Sequence, residues 1–210
     1  MIRHHPSPEI LSDYARGALA DGMALVIACH VAGCTVCRGE VGLWDSVGGA
    51  MLETTDAVAL GNDSLAKTLA RLNAQDSSKP VALPNFLRGL SVPGPLAQRR
   101  IGARRWVTPN IWFAPVDGNP LTYLVFARRN TKLSFHTHGG REYTHVLDGA
   151  FDDVIGRFQV GDFADTNEAV EHAPKATPSG SCLCLISSET PMRLKYRPAQ
   201  IIQSLLGMQY

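Results

Sequence analysis

The period of the hydrophobic pattern changes part-way along this chain, and no other feature limits its fold as strongly. Up to residue 73 the apolar residues recur at helical intervals: Ile10, Leu11, Tyr14 and Leu19, then Met23, Val26, Ile27 and Val31, then Leu65, Leu69 and Leu72. Beyond residue 84 they come instead as short β-branched and aromatic runs at 105–107, 111–114, 121–127, 133–136, 143–147, 158–160, 182–187 and 192–196. Between these regimes, residues 74–84 are rich in Gln, Asp, Ser, Lys and Pro without periodicity, the composition of a connector. The pattern predicts an α+β chain: a helical domain over 1–73, a linker over 74–84, and an all-β sandwich or barrel over 85–210.

Local signals place the elements. Ser7 caps a first helix, Pro8 suits its first turn and Glu9 complements its dipole, and the apolar spacing carries it to about residue 20. Asp21 is placed to cap a second helix, which Gly33 interrupts. A third is expected over 34–53, although Gly39, Gly42, Gly48 and Gly49 each weaken it by up to about 1 kcal/mol against Ala unless they allow close packing. A short fourth helix follows Asn62 or Asp63. In the second half Asp117-Gly118, Arg129-Asn130, Gly139-Gly140, Asp148-Gly149 and Val160-Gly161 supply turns between strands.

Charge and cysteine content exclude several function classes. Twenty basic residues against 19 acidic ones give a net charge of +1, too weak a field to draw the whole molecule to nucleic acid or an anionic membrane. Arg99-Arg100 and Arg104-Arg105 lack interleaved aromatics and read as a solvated or docking face. The longest apolar stretch, 23–29, is far short of the roughly 20 residues that span a bilayer, and residues 1–8 lack the core of a signal peptide. The expectation is a cytoplasmic protein that engages neither a membrane nor nucleic acid directly. Five cysteines without a closely spaced framework suit thiols or metal ligation in a reducing compartment.

The sharpest motif of the first half is His30-x3-Cys34-x2-Cys37. Positions i and i+4 share a helix face, so His30 and Cys34 converge, with Cys37 one turn further. Zinc takes nitrogen and thiolate donors in a closed tetrahedron, which requires a fourth ligand: His4, His5 or Cys29, with a histidine favoured because Cys29 points elsewhere on the helix. A buried thiol pair is the plainer reading of the same cysteines. Arg3-His4-His5 followed by a helix and then this motif resembles the zinc-binding anti-sigma domain of the ChrR type, which silences extracytoplasmic-function sigma factors. The resemblance implies zinc held by His5, His30, Cys34 and Cys37, and a domain that docks on its sigma factor and occludes the surfaces that would meet core RNA polymerase.

A second constellation, His136-x-His138-x3-Glu142-x6-Gly149, resembles the first motif of the cupin family. Strand residues two apart face one side, so His136 and His138 project together into a barrel, and Glu142 begins the next strand after the Gly139-Gly140 turn. Gly161-Asp162, followed by His172 and Pro174 but without the usual Pro-x-Gly pair, approximates the second motif and makes His172 the fourth ligand. Three histidines and a carboxylate suit zinc, iron, manganese or nickel, with zinc placed first. ChrR-type proteins carry the same barrel and the same four positions, so the resemblance spans nearly the whole chain. It implies a jelly-roll cupin domain and an anti-sigma factor that releases its partner on a signal, singlet oxygen or photo-oxidative stress; a homodimer through the cupin domain is left open by the sequence. The rival reading is a cupin metalloenzyme, a dioxygenase or isomerase, with an accessory N-terminal domain. Cys182 and Cys184 alternate with Leu183 and Leu185 and are expected as buried reduced thiols facing one side of a strand, the alternative being an oxidation-sensitive pair near the metal.

Overall fold

The start of the first helix is set by its capping residues. In the computed structural model, which describes residues 1–74 and 82–194, α1 covers Pro8–Ala15, and the Ser7 side chain accepts a hydrogen bond from the Ile10 N–H. It stops well before residue 20, because Gly17 takes a left-handed conformation (φ 69°) and breaks the ladder although Leu19 continues the apolar spacing. Helix α2 (Asp21–Gly33) follows; its N-cap is Ala20, and Asp21 lies in the first turn with its carboxylate on Arg99 instead of capping. Buried residues surround α2 (Met23, Leu25, Val26, Ile27, Cys29 and His30), so the helix is sandwiched rather than laid on a surface.

Helix α3 (Thr35–Glu53) leaves α2 at a bend of 117° and buries only Cys37. Its four glycines face open space where a Cβ would stand, so they do not serve close packing as expected. Helix α4 covers Ser64–Ala74. Most of the connector expected over 74–84 lies outside the described residues. A 3-10 turn at Asn85–Leu87 and a one-turn helix α5 (Gly94–Ala97), neither anticipated, then pack Leu87 and Leu96 into the core. Among the described residues no single helix is long and apolar enough to cross a membrane; α2 and α3 reach that composition only as a bent pair.

The strand region is an antiparallel barrel of two layers. The larger sheet runs β1 (Arg105–Thr108), β2 (Ile111–Val116), β3 (Asn119–Ala127), β10 (Cys182–Ser188), β5 (Glu142–Asp148), β8 (Phe163–Thr166) in spatial order. Opposite lie β7 (Gly156–Gln159), β6 (Ala150–Asp153) and β9 (Lys175–Ala176), with β4 (His136–Thr137) paired to β11 (Arg193–Leu194). The β2–β3 hairpin turns on Asp117 and Gly118, whose φ of 52° and 71° are those of a two-residue turn matched to strand twist. The run at 133–136 forms a strand only from His136, and residues 195–196 of the last expected strand lie outside the described residues.

Alternation on β10 and β5 divides the core in two. Leu183, Leu185, Tyr143 and Leu147 face outward and join Val26, Ile27, Leu11 and Leu96 in one apolar cluster shared by helices and sheet. Cys182, Cys184, Ile186 and Val146 face the barrel interior with Phe151 and Phe158. The sequence after residue 84 therefore builds a platform, and α2 is the helix that covers its outer face.

Candidate metal centres

The N-terminal cluster is assembled by three separate pieces of chain. His5 lies in the tail before α1, His30 in the last turn of α2, Cys34 at the N-cap of α3 and Cys37 in the first turn of α3. One ligand atom from each lies within 4.8 Å of all the others, and all but His5 are buried. His5 Nδ1 is 3.4 Å from both Cys34 Sγ and Cys37 Sγ, close to the roughly 3.6 Å edge of a zinc tetrahedron with ordinary Zn–N and Zn–S bonds. His30 Nδ1 donates to the Gly161 carbonyl at 2.9 Å, which leaves Nε2 as the lone-pair nitrogen; that atom is buried without a hydrogen-bond partner. Burial pushes the His30 imidazole down to about 4, and burial together with the neighbouring Cys34 pushes the Cys37 thiol up to about 12. A neutral imidazole is ready to ligate, whereas the Cys37 thiol needs a dication beside it to ionise. The residues fit a tetrahedral zinc-type ion, and the orphaned His30 Nε2 is the feature such an ion explains.

The second cluster sits inside the barrel. His136 on β4 and His172 bridge each other's backbones (3.0 and 3.1 Å), His138 follows β4, and Glu142 opens β5; all four are buried, with ligand atoms within 4.8 Å of one another. Hydrogen bonds turn the Nε2 atoms inward: His136 Nδ1 donates to the Ser134 carbonyl at 2.8 Å and His172 Nδ1 to Asp153 Oδ2 at 2.6 Å, the second a carboxylate–histidine pair of the kind that orients metal ligands. His138 Nε2 and His172 Nε2 stand 3.1 Å apart, while His138 Nδ1 and Glu142 Oε2 lie 3.6 Å from each other, both buried without a hydrogen bond. Burial lowers the His136 and His138 imidazoles to about 4 and about 3, and burial with the nearby Asp153 raises the Glu142 carboxyl to about 8. This carboxyl is poorly solvated and awaits a cation, so the donor set fits a divalent metal here too.

Cys182 and Cys184 line the same interior cavity as Glu142 and His172. Both are free thiols with Sγ atoms 3.6 Å apart, and contact with Cys182, then burial, holds the Cys184 thiol well above its ordinary value. Sequence reasoning did not single out Asp153: only the pairing of β6 with β9 brings it beneath His172, and nothing local marks it.

The chain has counterparts among known proteins. Residues 106–190 match the ChrR cupin-like domain family. The chain is 34% identical over 209 residues to the anti-sigma-E factor ChrR of Cereibacter sphaeroides, covering 96% of this chain and 97% of that one. Among solved structures, the crystal structure of Rhodobacter sphaeroides SigE in complex with the anti-sigma ChrR aligns with a TM-score of 0.71 at 32% identity, over 90% of this chain and all of the matched chain. With that degree of identity spread over helices and barrel alike, the chain belongs to the ChrR family of anti-sigma factors.

Proposed function

We propose that this protein sequesters an extracytoplasmic-function sigma factor in the cytoplasm, gripping it with helices held by zinc and letting go when the cupin barrel registers a signal. The observation that carries the reading is the pair of apolar stripes left uncovered on α3 and α4. Leu43, Val47 and Met51 recur at four-residue spacing on α3 and are 64, 45 and 68% exposed; Leu65, Leu69 and Leu72 on α4 are 71, 50 and 60% exposed. Stripes of this length on an otherwise well-packed protein mark a partner surface. The family is regulatory, which sets aside the dioxygenase or isomerase alternative.

His5, His30, Cys34 and Cys37 would hold zinc, which supplies bonds tying the tail, the end of α2 and the start of α3 together. The chain's own part is to aim α3: with His30 before the bend and Cys37 after it, α3 departs at 117° and its stripe is presented already ordered. His136, His138, Glu142 and His172 would hold a divalent ion in the barrel, zinc first among the candidates. For the signal we adopt photo-oxidative stress, singlet oxygen in particular; the oxidisable thiols of Cys182 and Cys184 beside Glu142 support it.

The stripe on α4 provides the test. Leu65→Asp with Leu69→Asp removes two apolar side chains worth about 1.5–3 kcal/mol each when buried, so affinity for the purified sigma factor should fall more than about 100-fold. The melting temperature should stay put because both positions face solvent. Undiminished affinity would move the sigma-binding surface off this helix.

A further inference from the structure

The barrel turn between β7 and β8 handles the N-terminal tail in a way that neither the donor set nor sigma binding requires. Asp162 in that turn has no exposed surface, and both of its oxygens are occupied. Oδ1 accepts the backbone N–H of Arg3 at 2.7 Å and of His4 at 3.2 Å; Oδ2 accepts the Gln159 N–H at 2.9 Å and lies 3.2 Å from His4 Nδ1. The Gln159 bond is what an aspartate does for its own turn, whereas the other three belong to the tail.

Its neighbours continue the contact. Phe163 N–H donates to the His4 carbonyl at 3.0 Å, extending the edge of β8 by the tail, and the His4 ring rests on Phe158 with centroids 4.4 Å apart. Gly161 takes φ 90°, and a Cβ there would meet Ile2 Cγ1 at 2.7 Å, so the turn leaves room for the tail to lie directly against it. The same Gly161 offers its carbonyl to His30 Nδ1. Three consecutive barrel residues thus hold both the residue before His5 and the ring of His30, on two sides of one candidate site.

We propose that Asp162 is a positioning residue for the N-terminal metal: it fastens the tail so that His5 closes the site, and the barrel thereby sets the affinity of a centre that lies outside it. The proposal rests on reading His5, His30, Cys34 and Cys37 as donors. Without the fastening, the tail samples many conformations, and each ligation by His5 must first order it. The other three donors need no such ordering, since they stand at the end of α2 and the start of α3.

Cobalt titration of the metal-free, reduced full-length protein tests this, because thiolate-to-cobalt charge transfer reports a site with cysteine ligands, and a Cys34→Ser, Cys37→Ser background identifies the barrel site separately. Asp162→Ala should weaken the thiolate site about 10–100-fold, since ligation by His5 must then order the tail, while the barrel site binds as before. Arg3→Pro removes the shortest tail donor without touching the barrel and should weaken the same site in the same direction, so a folding defect in the Asp162 variant would not shield the proposal. If the wild-type protein shows the thiolate band and both variants bind cobalt as tightly, Asp162 is not a positioning residue. If the wild type shows no thiolate band, the site reading fails and the proposal with it.

Discussion

Gly22 is the residue through which the docking of the helices on the barrel can be tested with a single methyl group. It lies in the first turn of α2, directly over the hydroxyls of Thr122 on β3 and Ser187 on β10, which bond each other at 3.0 Å. A Cβ at this position would stand 1.9 Å from Thr122 Oγ1 and 2.5 Å from Ser187 Oγ, so α2 or the sheet must yield by about 1.5 Å before an ordinary contact is restored. Overpacking of this sort costs about 1–3 kcal/mol, and because the displacement also lifts Val26 and Ile27 from the sheet, the upper part of that range applies. Against it stands a gain of about 1 kcal/mol from replacing a helical glycine by alanine. Gly22→Ala should therefore lose about 1–2 kcal/mol, a fall of roughly 2–8 °C in melting temperature for a chain of this size. In a Thr122→Ala, Ser187→Ala background the two nearest atoms are gone, only the Cβ of residue 122 remains close at 3.2 Å, and the cost of the background itself cancels in the comparison. There Gly22→Ala should be neutral or stabilising. Thermal unfolding of the four proteins decides the matter, and a Gly22→Ala effect of the same sign and size in both backgrounds would refute the close docking of α2 on the sheet.

Two further expectations follow from the polar contacts. Arg99 joins Asp21 at the start of α2 to Asp117 in the β2–β3 turn, at 2.7 and 2.9 Å; Arg99→Ala should cost less than about 1 kcal/mol at neutral pH, since Asp21 is largely exposed. The Arg99 hydrogen bond holds the Asp21 carboxyl below its ordinary 3.8, so this contribution is present above that pH and disappears as pH falls through the lowered value; denaturant curves of variant and wild type should converge in acid, and a gap that persists there would contradict the assignment. In the barrel, Asp153→Asn replaces the carboxylate that accepts from His172 Nδ1 and should weaken metal binding at that site about 10-fold or more, read by competition with a chelator; unaltered binding would mean that Asp153 does not orient His172.

The parts of the fold legible in the sequence are those with a local cause. Ser7 and Pro8 start a helix through groups within one turn, His30, Cys34 and Cys37 are near neighbours along one bend, and His136 and His138 stand two residues apart across the end of β4. What depends on distant chain was less so. Helix α1 ends at a left-handed glycine whose conformation the apolar spacing does not encode, and β8 and β9 are short strands defined by pairing to β5 and β6 rather than by their own composition. The docking of α2 on the sheet did leave a trace, because Leu25 and Cys29 fall outside the stripe of Met23, Val26 and Ile27 and make the helix apolar all round. Asp153 and the tail contacts of Asp162 left none, since an aspartate beside a turn glycine reads as turn chemistry until the residues on its far side are known.

On the proposed function, the tail, α2 and α3 are joined by a metal before they hold a sigma factor. Affinity of the zinc-loaded protein for its purified extracytoplasmic-function sigma factor should be compared with that of a Cys34→Ala, Cys37→Ala variant whose barrel site remains loaded. Tight binding by the first and loss of binding by the second is the result predicted; equal affinity in the variant, with zinc shown to be gone from the N-terminal site, would contradict it.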